Sequence, residues 1–186
     1  METASKRERL VEAAKEVFYQ QGVACSTLAD IAQQAEVPLG NVYYYFRTKD
    51  ALLEAVLEAH VQDLRALFAQ WERNPDPRQR LLLLLPRGRD EQERLIRYGC
   101  PYGSLCQELE KSDSQLVPLV ARLWRIYLDW ARAQFCLLGK GQQEAEDLAL
   151  SLIASLQGAF LLSSSMRSPD VLERQLQHLE TWLRAL

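Results

Sequence analysis

The chain has 186 residues, 48% of them hydrophobic and 25% charged, with a formal net charge of −3 and a sequence pI of about 5.5. That length suits one large domain, or a small domain joined to one of ordinary size, and the hydrophobic share can fill a real core. There is no global basic signature, yet residues 1–49 hold six bases and six acids, so the acidic excess lies in the remainder and local placement decides. Four cysteines without a CxxC pair and two histidines, His60 and His178, argue against a zinc site, and no cofactor is expected. The N-terminus carries no apolar signal region, and the longest aliphatic run, Leu81 to Leu85, is far short of a membrane span. A cytoplasmic protein with reduced thiols and no membrane partner is the expectation.

The pattern predicts an all-α chain. Ser5 with Glu8 forms a capping box that opens a first helix, whose apolar face is Leu10, Ala14, Val17 and Phe18. Gly22 closes it. Thr27 with Asp30 opens a short second helix, and Glu36-Val37-Pro38 separates it from a very short third one carrying Tyr43, Tyr44 and Tyr45. Thr48 is the expected N-cap of a long helix from about 49 to 73, broken by Asn74-Pro75-Asp76-Pro77. A leucine-rich helix runs to Pro86, followed by a charged stretch from Arg87 to Arg97. Helices are expected near 101–111, 115–138, 142–166 and 169–185, giving about nine in all.

Three consecutive tyrosines suit a buried core badly, because each hydroxyl needs a partner once it leaves water. A surface that meets phosphates and bases can use them, which makes residues 27–45 read as a helix-turn-helix. Thr27-Leu-Ala-Asp-Ile-Ala, Gly40-Asn-Val-Tyr-Tyr-Tyr-Phe and Thr48-Lys-Asp-Ala-Leu-Leu resemble the N-terminal part of TetR-family transcriptional regulators. The likeness is specific over roughly residues 5–55; beyond them helix number and length agree, and Tyr98-Gly-Cys-Pro-Tyr-Gly-Ser-Leu resembles a run in some branches of the family. The expected division is a DNA-binding domain over 1–48 and an effector-binding and dimerisation domain over 49–186.

In a helix-turn-helix the second helix reads the major groove near its N-terminus. Leu39, Gly40 and Asn41 fall there: Asn41 can pair bidentately with an adenine edge, and Gly40 lets the backbone approach closely. The resemblance implies phosphate or groove contacts for Tyr43, Tyr44 and Tyr45, and a phosphate clamp at Lys49. Thr27 is expected to present its hydroxyl to a phosphate, and Phe46 to pack inward. Two positions depart from the family pattern, Glu36 where glycine is usual and Leu39 where a polar residue is common. A glutamate at positive φ would carry strain.

One helix-turn-helix reads few base pairs, so a homodimer on a palindromic operator in double-stranded DNA is expected, formed by the last two helices. Their small residues (Ala145, Ala149, Ala154, Gly158, Ala159) and leucines suit close approach or an ordinary core. The resemblance also implies a small-molecule effector cavity among the central helices, with Trp71, Tyr98, Tyr102, Trp124 and Tyr127 as candidate walls and a largely apolar ligand. The family default is a repressor released by that ligand. Cys100 precedes Pro101 at a helix start, where a lowered thiol pKa would suit a sensor of electrophiles or oxidants; the alternative is a small buried residue. Nothing encodes catalysis, and a helical adaptor without specific DNA binding is the competing class.

Overall fold

The computed structural model describes residues 5–112 and 114–186, so the first four residues of the expected DNA-binding segment lie outside it. Among the described residues every regular element is a helix: α1 Lys6–Gln21, α2 Leu28–Gln34, α3 Leu39–Tyr45, α4 Lys49–Trp71, α5 Pro77–Leu82, α6 Leu84–Asp90, α7 Gln92–Tyr98, α8 Pro101–Lys111, α9 Val117–Leu137, α10 Gln142–Met166 and α11 Pro169–Ala185. The segments α5, α6 and α7 are separated only by Leu83 and Glu91; as one bent run they bring the number to the nine expected. The stretch after Pro86, read from sequence only as charged, is therefore helical. A proline in the first turn of α6 removes no intrahelical bond, so it does not end the run.

Two compact units arise, one from residues 1–63 with 104–122 and the other from 64–103 with 123–186; their limits fall inside α4, α8 and α9. In the first unit both capping boxes form, Ser5 with Glu8 and Thr27 with Asp30. Thr48 caps α4 by accepting from the Ala51 N–H at 3.1 Å. Leu10, Ala14, Ile31, Val42, Leu52, Val56 and Leu57 are fully buried. Lys15 ties α1 to α4 through Asp63 at 2.6 Å.

In the second unit α11 buries Leu172, Leu176, Leu179 and Leu183, one stripe at helical spacing. Phe68 stacks on Trp130 with centroids 4.2 Å apart, and Trp71 and Tyr127 complete the aromatic cluster. Arg89 on α6 reaches Glu173 at 3.1 Å and Glu180 at 3.2 Å, two carboxylates two turns apart on α11. Helix α10 is long and apolar enough by composition to cross a membrane, with a mean hydropathy of 1.5 over its best window, of which 33% is buried. Its exposed side chains include Leu150, Leu161, Leu162 and Met166.

The Arg89 network gives a pH dependence. Hydrogen bonds from Arg89 hold the Glu173 carboxyl below the usual glutamate range, and those from Arg184 and Arg89 do the same for Glu180. Depressed carboxyl pKa values add stability above the unfolded-state value, and that stability is lost as pH falls through the folded-state values. Arg89→Met is expected to lower Tm at neutral pH, with the gap to the wild type narrowing below about pH 4. Thermal melts across that range check it; a gap independent of pH would refute the network's contribution.

Candidate functional site

Helices α2 and α3 have seven residues each, too few to hold a helix in water unaided. Their ends therefore set the geometry. At the start of α2 the Asp30 N–H donates to Thr27 Oγ1 at 3.2 Å, while the Thr27 N–H and hydroxyl donate to Asp30 Oδ2 at 2.8 and 2.7 Å. The Thr27 hydroxyl, then its amide, holds the Asp30 carboxyl below the usual carboxylate range. That hydroxyl donates inside the cap, while Thr27 itself is exposed at the start of α2.

The turn after α2 is a Schellman motif: Val37 N–H donates to Ala32 O at 3.0 Å and Glu36 N–H to Gln33 O at 3.1 Å. Its left-handed position is Glu36, at φ 52. The carbonyls of the turn are held by Arg9 on α1, which donates to Ala35 O at 2.5 Å and Glu36 O at 3.2 Å. The chain then turns into α3 through Pro38, whose carbonyl accepts from the Asn41 N–H at 2.8 Å.

Helix α3 has two faces. Val42 and the following Phe46 are buried, and Arg7 lies over the Phe46 ring at 5.3 Å. Tyr44 is 81% exposed, Tyr43 53%, Leu39 41% and Tyr45 37%. Asn41 is half-buried. A Cβ at Gly40 would meet no atom of the protein within 4 Å, so internal packing does not require glycine there. The outer face of α3 is thus made of exposed phenols, with an open glycine at its tip.

Lys49 is not free beside this face. Its ammonium donates to Val23 O at 2.8 Å and Ser26 O at 3.1 Å, strapping α4 to the connection between α1 and α2. Glu108 of α8 meets the same connection, accepting from the Val23 and Ala24 N–H groups. Arg47, between α3 and α4, is exposed.

In the second unit a cavity of about 60 Å³ is lined by Leu84, Leu95, Ile153, Leu156 and Phe160 together with Arg87, Glu91, Gln157, Cys100, Tyr102 and Tyr127. Arg87 and Glu91 pair at 3.3 Å. Of the five aromatic residues expected as walls, Tyr102 and Tyr127 are here. Trp71 belongs to the Phe68–Trp130 cluster, Trp124 lies 6.2 Å from Tyr127, and Tyr98 sits beneath Arg97. Burial pushes the Tyr127 phenol well above its usual pKa, so it is a neutral donor. Cys100 Sγ accepts from the Gly103 N–H at 3.4 Å, as a helix-start thiol should. Burial nevertheless raises its pKa more than the N–H groups of Gly103, Tyr102 and Gln157 lower it, the direction that goes with the buried-residue alternative.

Residues 10–56 match the family model of bacterial regulatory proteins, TetR family. The chain is 32% identical over 182 residues to the HTH-type transcriptional repressor DhaR of Mycobacterium sp. (strain GP1), covering 91% of this chain and 88% of that protein. The chain belongs to the TetR family. It is also 27% identical over 179 residues to an uncharacterized HTH-type transcriptional regulator from the lacX 3′ region of Lactococcus lactis subsp. lactis, covering 94% and 91% of the two chains. The crystal structure of a TetR transcriptional regulator from Legionella pneumophila matches the fold at a TM-score of 0.83 and 16% identity, over 97% and 98% of the chains. The protein is thus a helix-turn-helix, DNA-binding transcriptional regulator of that family.

Three residues of this TetR-family site escaped sequence reasoning. Arg9 lies 26 positions before the turn carbonyl it holds, and Glu108 lies 85 positions after Val23. Neither has a local signature. Arg47 was counted only as a base, although its place directly after the tyrosine helix was a usable signal.

Two substitutions check the turn and the strap. Glu36→Gly is expected to stabilise the protein by roughly 0.5–1 kcal/mol, relief of left-handed strain exceeding the added unfolded-state entropy. A drop in Tm would contradict this. Lys49→Met keeps the aliphatic stem but removes both ammonium bonds, leaving Val23 O with only the Ser26 N–H at 3.3 Å, and is expected to cost about 1–2 kcal/mol in chemical denaturation.

Proposed function

We propose that the protein is a homodimeric repressor that grips a palindromic operator with two copies of α3 and lets go when a small, largely apolar effector enters the cavity of the second unit. The single observation that carries the DNA reading is the exposed face of Leu39, Tyr43, Tyr44 and Tyr45 on a helix-turn-helix whose other side is buried. Residues 1–48 take the DNA-reading role, and 49–186 the effector and dimer roles. Leu39 and Asn41 read bases and Gly40 admits the backbone; Tyr43, Tyr44, Tyr45 and Arg47 meet phosphates and groove walls. Thr27 and Lys49 serve by fixing the start of α2 and the connection before it, and Lys49 retains one N–H for a phosphate.

The dimer reading is supported by α10, whose exposed leucines at 150, 161 and 162 form apolar surface that a second copy can cover. That also accounts for a helix of membrane-like composition in a regulator. The cavity's polar groups, the Arg87–Glu91 pair, Gln157 and the two phenols, orient a ligand among aliphatic walls. At about 60 Å³ it is small against the 300–1,000 Å³ usual for ligand sites. Binding therefore widens it, and the widened state is taken to disfavour the DNA-bound arrangement. The raised pKa of Cys100 weighs against the thiol-sensing alternative, and family membership weighs against the adaptor.

Selection of bound duplexes from a random pool is expected to enrich one palindrome; no enrichment by a folded dimer would overturn the proposal. On that site Tyr44→Ala is expected to weaken binding about tenfold or more, and Tyr43→Phe several-fold. Wild-type affinity in both would remove α3 as the contact. Leu161→Glu with Leu162→Glu is expected to yield monomers by light scattering, and a retained dimer would place the interface elsewhere.

A further inference from the structure

The connection between α1 and α2 is held from two sides by opposite charges. Lys49 takes its carbonyls at Val23 and Ser26, and the Ser26 hydroxyl donates to Gly22 O at 2.6 Å. Glu108 takes its amides: one oxygen, Oε2, lies 2.7 Å from the Val23 nitrogen and 3.1 Å from that of Ala24. The approach is so close that a Cβ on Gly22, which has φ +80, would fall 2.7 Å from Glu108 Oε1. Three residues beyond Ala24 the chain reaches Thr27, the cap of α2.

We propose that Glu108 is a positioning residue for DNA binding, acting through these two hydrogen bonds on the connection that sets where α2, the turn and α3 begin. The inference rests on the DNA-reading role of α3 given above. An unlatched connection must be ordered when DNA binds, and that cost appears as lost affinity. Charge alone predicts the opposite sign, since removing a carboxylate from a phosphate-binding unit weakens repulsion and tightens binding. Geometry separates the two. Because both amides donate to one oxygen, the carbonyl oxygen of glutamine can replace it, whereas alanine offers no acceptor and aspartate keeps the charge but withdraws the oxygen.

The test uses the full chain and the duplex selected by the wild type, with Glu108→Ala, Glu108→Asp and Glu108→Gln compared by titration at several salt concentrations. The alanine and aspartate variants are expected to bind about tenfold more weakly, with the salt slope unchanged because no phosphate contact is lost. The Val23 and Ala24 amides should exchange hydrogen faster in both. The glutamine variant should bind as tightly as the wild type or more tightly, with those amides still protected. Should alanine fail to fold, the aspartate variant against the wild type decides alone, because it keeps the charge and withdraws only the oxygen. An aspartate variant that binds as tightly as the wild type, or tighter binding by the alanine variant, overturns the proposal. A wild type that selects no duplex removes the DNA reading beneath it, an outcome distinct from variants that bind like a binding wild type.

Discussion

Two-turn helices cannot satisfy their own backbone: the first amides and last carbonyls of α2 and α3 outnumber the bonds inside them. The first unit is organised around that constraint. Asp30 and Thr27 close one end of α2 reciprocally. The Schellman bonds and Arg9 close the other. Lys49 and Glu108 hold the connection that leads in. With α2 fixed at both ends, α3, which has no side-chain cap of its own, leaves a face of phenols in water while Val42 and Phe46 anchor the opposite one.

The second unit solves a different problem. Its helices are long enough to stand on apolar stripes, and polar groups enter where they pin one element against another. Arg89 spans two turns of α11 through Glu173 and Glu180. Arg80 reaches Gln134, a buried amide, at 3.0 Å. These bonds fix helix register, while Phe68, Trp71, Tyr127 and Trp130 fill volume. A cavity lies where Arg87 and Glu91 sit among aliphatic side chains.

Features written within a few residues were legible from the sequence. Both capping boxes, the Gly22 stop, the N-cap at Thr48 and the inward turn of Phe46 follow from local rules, and so did the exposed tyrosines. What escaped was set by pairing over distance. The resemblance implies a phosphate clamp at Lys49 and says nothing of its two carbonyl partners, which lie 26 and 23 positions earlier. Tyr102, Tyr127 and Gln157 meet at one cavity from three helices, whereas Trp71 and Trp124, equally aromatic and equally central in the chain, do not line it. At Cys100 local pattern left two readings open, a thiol activated at a helix start and a small buried residue, because desolvation is a property of everything packed around the sulfur.

The two non-glycine residues described at positive φ, Glu36 and Arg167, each end a helix, and their side chains differ in what they hold. The Glu36 side chain meets Arg9 only across 3.9 Å at a site 89% exposed, so the side chain adds little and the backbone carries the strain. Arg167 uses its strained position to donate to Ile96 O at 3.1 Å and Arg97 O at 2.9 Å, closing the end of α7. Glycine is a single-base neighbour of both codons. At 36 drift toward it would relax the fold, while at 167 it would open a second helix end, so only one of the two positions is free to wander.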